Sequence, residues 1–113
     1  MLKKQNQLTK DKEFDNVFKN GKSSYDKALG VKVIANKLND SRFGILVSTK
    51  ISKKAVERNR LKRQIREVIR LSLNEIKSGY DFIIITLPSV LGKTSQEITK
   101  SLQSHLEKLK LYK

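Results

Sequence analysis

Hydrophobic positions recur with a helical period near both ends of this 113-residue chain. Phe14, Val17 and Phe18 stand at i, i+3 and i+4, which predicts a short helix over about 10–20. A second set recurs at spacings of four, four and three residues and predicts an amphipathic helix over 94–109. Its members are Ile98, Leu102, Leu106 and Leu109. Each helix therefore has one apolar side to pack against a core.

Between these helices lie stretches whose pattern is typical of β-strands. Apolar and polar residues alternate over 29–35, and a second strand pattern covers 42–48 after a polar turn cluster. Because the two strands follow each other so closely, we predict a hairpin over 28–48. Residues 80–87 are almost continuously apolar up to Pro88, which indicates a central strand covered on both faces.

The segment over about 54–76 predicts a longer helix whose charges are segregated by face. On a helical wheel its apolar residues form one stripe, and a contiguous flank about 100° wide carries only donors. The stripe holds Leu61, Ile65, Val68, Ile69 and Ile76, and the flank holds Asn59, Lys62, Arg63, Arg66 and Arg70. Glu57 and Glu67 fall outside the flank on the wheel, so we expect its basic side chains to lack acidic partners.

Composition strengthens this picture, because the chain carries 25 Lys and Arg against 11 Asp and Glu, a net charge of +14. The window 50–70 alone holds nine basic and two acidic residues, which is half of the net charge. A charged helix is often only a solvated face, but such a surface usually mixes both signs. Arginine predominates here, and its planar fork grips phosphate through two hydrogen bonds. We therefore expect a nucleic-acid partner.

Several classes of protein are excluded or disfavoured. The absence of cysteine rules out a disulfide scaffold and a zinc–thiolate site. The single histidine, His105, is expected at the surface, and no acidic cluster suggests a self-contained enzyme. No apolar run approaches the length of a membrane span, and none resembles a signal peptide. We expect one cytoplasmic α+β domain over 1–113 with no membrane association.

The stretch from Lys53 to Glu67 closely resembles the Arg-Asn-Arg helix of the protein subunit of bacterial ribonuclease P. The tripeptide alone would be uninformative, but here it is followed by an aliphatic residue, Lys-Arg and a further Arg. The similarity extends to the first helix, 42–48, 81–85 and the closing helix. That family has an α-β-β-β-α-β-α sandwich resembling the ribosomal protein S5 domain 2-like fold. The resemblance thus implies a short first strand near Lys22–Tyr25 and a left-handed crossover through the basic helix.

The resemblance also implies a function. The protein would be the subunit of an endoribonuclease that removes the 5′ leader of precursor tRNA, with catalysis carried by the RNA subunit and its Mg²⁺. Its partners would be the catalytic RNA and precursor tRNA, with no obligatory protein partner. The basic helix and its preceding loop would contact the catalytic RNA. The candidate residues are Lys53, Lys54, Arg58, Asn59, Arg60, Lys62, Arg63, Arg66 and Arg70.

In the family, a cleft between the first helix and the sheet receives the single-stranded leader. The matching residues are Phe14 and Phe18. Their spacing alone is more typical of a core, and the resemblance shifts the expectation toward the cleft. Many members carry an aromatic residue on the second strand facing that cleft, whereas this chain has Lys32, which could meet a leader phosphate. Two alternatives stay open at this point: a non-catalytic RNA-binding module of ribosomal-protein type, and a protein-only nuclease.

Overall fold

The computed structural model describes residues 2–113. Within them, three helices and four strands follow one another in the predicted order. In chain order these are α1 (Asp11–Asn20), β1 (Lys22–Tyr25), β2 (Leu29–Ala35), β3 (Arg42–Leu46), α2 (Ala55–Ser72), β4 (Tyr80–Thr86) and α3 (Ser95–Lys108). Single 3₁₀ turns cover Lys4–Asn6, Leu73–Glu75 and Pro88–Val90. The α+β class and the α-β-β-β-α-β-α order are confirmed. No helix in the described part is long and apolar enough to cross a membrane.

The four strands form one sheet in the order β1-β2-β4-β3. The predicted hairpin over 28–48 is therefore wrong, because β4 lies between β2 and β3. β2 pairs antiparallel with β1 on one side and with β4 on the other. β3 pairs with β4 in parallel, from Arg42 opposite Asp81 to Leu46 opposite Ile85. Parallel neighbours need a long connection, and α2 supplies it.

Both faces of β4 are covered, as its apolar sequence predicted. On one face Phe82 and Ile84 pack beneath α2 and α3, whose buried side chains include Ile65, Ile69 and Leu106. Phe82 stacks on Phe43 of β3 with ring centroids 4.7 Å apart. On the other face Ile83 packs with Leu8 and Val17, beneath α1. All five residues of the predicted apolar stripe are buried, but Ile76 lies beyond the helix, which ends at Ser72 rather than near residue 76. The opposite side of α2 faces solvent.

An ion-pair network anchors α1 to the sheet. Arg42 donates from Nε and Nη2 to the two carboxylate oxygens of Asp81, at 2.8 and 2.7 Å, and its Nη1 contacts the Glu13 carboxylate. Asp81 is only 3% exposed, and its Oδ1 also accepts from Asn36 Nδ2 at 2.9 Å, so both of its carboxylate oxygens are hydrogen-bonded. The hydrogen bond to Asp81 raises the pKa of Arg42 above its usual value, against a smaller opposing effect of burial. This network fixes where α1 lies and hence which part of the sheet stays uncovered.

Candidate nucleic-acid interface

The solvent side of α2 carries most of the predicted basic flank. Asn59, Lys62, Arg63 and Arg66, with Val56, line a shallow depression of about 440 Å³. No ion pair within residues 2–113 involves Arg60, Lys62, Arg63 or Arg66. These side chains thus present unneutralised positive charge on one continuous face of one helix.

The loop before α2 extends this face toward the helix N-terminus. Lys53 and Lys54 are exposed there, and Arg58 folds back so that its Nη1 donates to the Ser52 carbonyl at 2.9 Å. Ser52 also donates its hydroxyl to Glu57, at 2.9 Å. Arg58 therefore holds the loop in place, with part of its hydrogen-bonding capacity used within the chain.

Arg70, at the far end of the flank, differs from the others. Its Nε donates to Glu67 Oε2 at 3.0 Å, and a second bond joins Nη2 to Oε1. The expectation that Glu67 lies too far away to pair with the flank is wrong, because residues three apart are neighbours on a helix. The hydrogen bond from Arg70 lowers the pKa of Glu67, and the two side chains form an exposed ion pair at this end of the flank.

On the opposite side of the sheet, α1 leaves part of the surface uncovered. This surface, between Phe18 of α1, Lys32 of β2 and Tyr25 of β1, is called the cleft below. Phe14 lies where α1 covers the sheet, and its ring packs on the backbone of Gly44 and beside Ile83. Phe18, one turn further along α1, is 42% exposed. The two phenylalanines therefore differ: Phe14 is half-buried in the packing of α1, whereas Phe18 presents its ring to the cleft.

Lys32 lies on the cleft face of β2, and its ammonium is close to two aromatic rings. Its Nζ lies 5.9 Å from the ring centroid of Phe18 and 6.0 Å from that of Tyr25. Tyr25, on β1, is 48% exposed. Sequence reasoning missed Tyr25 because β1 has no clear periodicity. Its strand register brings it to the cleft: Tyr25 pairs with Gly30, and Ser23, two residues earlier on β1, pairs with Lys32.

The prediction that His105 lies at the surface is wrong, because its side chain is completely buried. Its Nδ1 lies 2.7 Å from Ser24 Oγ, and its Nε2 lies 3.1 Å from Asp26 Oδ2 in a direction unsuited to a straight hydrogen bond. Asp26 also accepts from the Ser101 hydroxyl and from the backbone of Ala28 and Leu29. This cluster ties α3 to β1 and the β1–β2 turn. Across the described residues, no group of three or more His, Asp or Glu side chains could hold a metal ion.

Comparison with known proteins places this geometry in a family. A family profile described as Ribonuclease P matches residues 2–110. The protein named Ribonuclease P protein component of Clostridioides difficile (strain 630) is 43% identical over 98 residues, which cover 86% of this chain and 85% of that protein. The chain belongs to the ribonuclease P protein family.

Solved structures of the family agree with the fold. The RNase P protein of Staphylococcus aureus superposes with a TM-score of 0.86 at 30% identity, covering 96% of this chain and 98% of that one. The RNase P protein of Thermotoga maritima gives 0.72 at 31% identity, with 91% and 93% covered. The chain is thus a protein component of bacterial ribonuclease P, a ribonucleoprotein of tRNA processing. The predicted family is confirmed.

Proposed function

We propose that the chain binds the catalytic RNA of ribonuclease P through the exposed face of α2, and holds the 5′ leader of precursor tRNA in the cleft beside α1. The RNA subunit hydrolyses the phosphodiester bond. The protein raises affinity for the substrate and screens repulsion between the two RNAs. The observation that carries this proposal is the unneutralised basic face of α2.

The chemistry of that face suits an RNA backbone. Arg60, Arg63 and Arg66 carry planar forks that can bind phosphate through two hydrogen bonds, and Lys62 adds a compact positive charge. Asn59 among them offers both a donor and an acceptor to a ribose or a base edge. A face used only for solubility would carry acidic side chains among these, and within the described residues Glu67 neutralises only Arg70.

The cleft suits a single strand better than a duplex. Its exposed groups are aromatic rings and an ammonium, and unpaired bases stack on rings whereas the bases of a duplex are already stacked. Phe18 supplies a stacking surface and Lys32 a phosphate contact. Phe14 supports the cleft from within the packing of α1.

Mg²⁺ belongs to the RNA in this proposal. The acidic side chains of the described chain do not form a ligand set: Glu13 and Asp81 are bound to Arg42, Glu67 to Arg70, and no cluster of three is available. In proteins Mg²⁺ is usually held by one or two carboxylates, together with water and the phosphate oxygens of the substrate. Three of the acidic side chains are thus already paired with arginines within the chain, and no catalytic step is assigned to the protein.

The decisive experiment is cleavage of precursor tRNA by a bacterial ribonuclease P RNA at low Mg²⁺, with and without the purified protein. We expect 5′ processing to require the RNA in every case and to be slow without the protein under these conditions. The protein alone is the control and should cleave nothing. Nuclease-free protein that cleaves by itself would overturn the proposal. Tight binding of structured RNA with no effect on processing would instead favour a ribosomal-protein-like binding module.

A further inference from the structure

Tyr25 occupies an unusual position at the open end of the cleft. It stands opposite Gly30 in the β1–β2 ladder, and its ring lies directly against the glycine backbone. A Cβ atom at Gly30 would lie 2.2 Å from Tyr25 Cε1 and 2.4 Å from Cδ1, so the ring fits there only because residue 30 has no side chain. The ring is supported by backbone on one side, yet it stays 48% exposed.

The contact with Gly30 has a structural explanation, because an aromatic side chain in a sheet commonly covers the space that a glycine on the neighbouring strand leaves empty. That explanation does not cover the groups on the exposed side of the Tyr25 ring. Tyr25 and Phe18 approach the same Lys32 ammonium from different elements, at 6.0 and 5.9 Å, and no acidic group in the described residues pairs with Lys32. Two exposed rings thus flank one positive charge that has no ionic partner within the described residues.

This arrangement matches the repeating chemistry of a single-stranded nucleic acid, in which each phosphate lies between two bases. We propose that Tyr25, seated on Gly30, is a second base-stacking platform, and that the leader passes from Phe18 over Lys32 to Tyr25. The inference rests on the proposed function, because it takes the leader as the occupant of the cleft. The charge of the chain, +14, favours a polyanion there over a peptide or an apolar ligand. Stacking on a ring tolerates any base, so this end of the cleft should show little sequence preference.

The test uses the reconstituted holoenzyme and precursor tRNAs with leaders of zero and about five nucleotides. For each variant we compare the leader gain, which is the ratio of the affinity for the substrate with a leader to the affinity for the leaderless substrate. Tyr25→Ala should reduce that gain on the order of 5- to 100-fold, as loss of one stacked base does, and leave the leaderless substrate unchanged. Tyr25→Phe should retain it. Leu38→Ala is the matched control, because Leu38 is 51% exposed in the loop at the other end of β2.

Gly30→Ala provides a second variant that keeps the tyrosine but displaces its ring, and it should also lower the gain. A leader carrying 5-iodouridine should photocrosslink to Tyr25 in the wild type and less in Gly30→Ala. If Phe18→Ala lowers the gain while Tyr25→Ala and Gly30→Ala do not, the Tyr25 platform is wrong and the proposed function stands. If the wild type gains nothing from a leader, both are wrong. An equal loss with both substrates would also overturn the platform.

Discussion

His105 is the residue whose environment the sequence indicates least. Its spacing from Leu102 and Leu109 places it on the apolar side of α3, but the polar groups that contact it come from far away in the chain: Ser24 is 81 positions earlier. Successive residues of a strand point to opposite faces. The contact between Ser24 and His105 on one face therefore helps to hold Tyr25 on the opposite, cleft face, so a buried residue of α3 contributes to the position of Tyr25.

Asp26 gives this cluster a testable pH dependence. Burial alone would raise its pKa, but hydrogen bonds from Ser101, Leu29 and Ala28, together with His105, outweigh burial and lower it. A lowered pKa in the folded state stabilises the protein above the unfolded value, near pH 4, and this stabilisation is lost as the pH falls through the folded pKa. Asp26→Asn keeps one acceptor oxygen and removes the charge.

We therefore expect wild type to exceed Asp26→Asn in free energy of unfolding at pH 6, and the difference to shrink toward pH 3. The difference should stay below about 1 kcal/mol, because the Asp26 side chain is 37% exposed and solvent screens its interactions. Urea unfolding of both proteins at several pH values measures it. A difference that is constant from pH 6 to pH 3 would show that the charge of Asp26 does not stabilise the fold.

At the scale of elements, the hydrophobic pattern indicates three of the four strands but not which strands are neighbours. The alternation over 29–35 and the pattern over 42–48 each predict a strand correctly, yet the predicted hairpin fails because β4 inserts between them. The short connection between β2 and β3 favours pairing these two strands with each other. Because β4 is the most apolar strand, the free energy gained by burying both of its faces and both of its edges between them is larger. β1, mostly exposed, has no hydrophobic pattern at all. Only the family resemblance indicated it.

The basic helix offers a matched pair of arginines. Arg63 is exposed without an ionic partner, whereas Arg70 is held by Glu67 on the same helix. Arg63→Ala should weaken binding to the catalytic RNA by about 1–3 kcal/mol and reduce the slope of log affinity against log salt by about 0.7–1. Arg70→Ala removes the same charge but should have a smaller effect, since its phosphate-binding fork is already occupied.

Filter binding or fluorescence anisotropy over a range of NaCl concentrations measures both quantities for the two variants. Thermal unfolding of each free protein serves as the control for folding. Equal losses at the two positions would mean that RNA binding responds to total charge rather than to the free face of α2. A larger loss for Arg70→Ala would mean that the RNA displaces Glu67 and uses that arginine.

At the scale of the whole molecule, the two candidate surfaces differ in how far the sequence predicts them. The basic face lies on one helix, so spacing along the chain is enough to find it. The cleft combines Phe18 of α1, Tyr25 of β1 and Lys32 of β2, and only the sheet register and the position of α1 bring these side chains together. The family resemblance predicted Phe14, Phe18 and Lys32 as cleft residues. Periodicity alone identified only the two phenylalanines, as residues on one side of a helix.

The net charge of +14 also acts on the folded molecule as a whole. The molecule measures 36 × 27 × 25 Å, so at about 10 mM salt, where the Debye length is about 30 Å, nearly every positive charge repels every other. At about 150 mM the Debye length falls to about 8 Å, and only near neighbours still interact. The unfolded chain spreads the same charges further apart, so low salt penalises the folded state more.

The melting temperature of the free protein should therefore rise as NaCl increases from about 10 to 150 mM. A variant with fewer charges should respond less. Lys4→Gln with Lys12→Gln is suitable, because both side chains are exposed and take part in no ion pair within the described residues. Scanning calorimetry of the two proteins over this range provides the measurement. A flat or falling melting temperature would mean that the folded chain already balances its charges internally, and an equal rise in both proteins would point to anions bound at particular sites rather than to general screening.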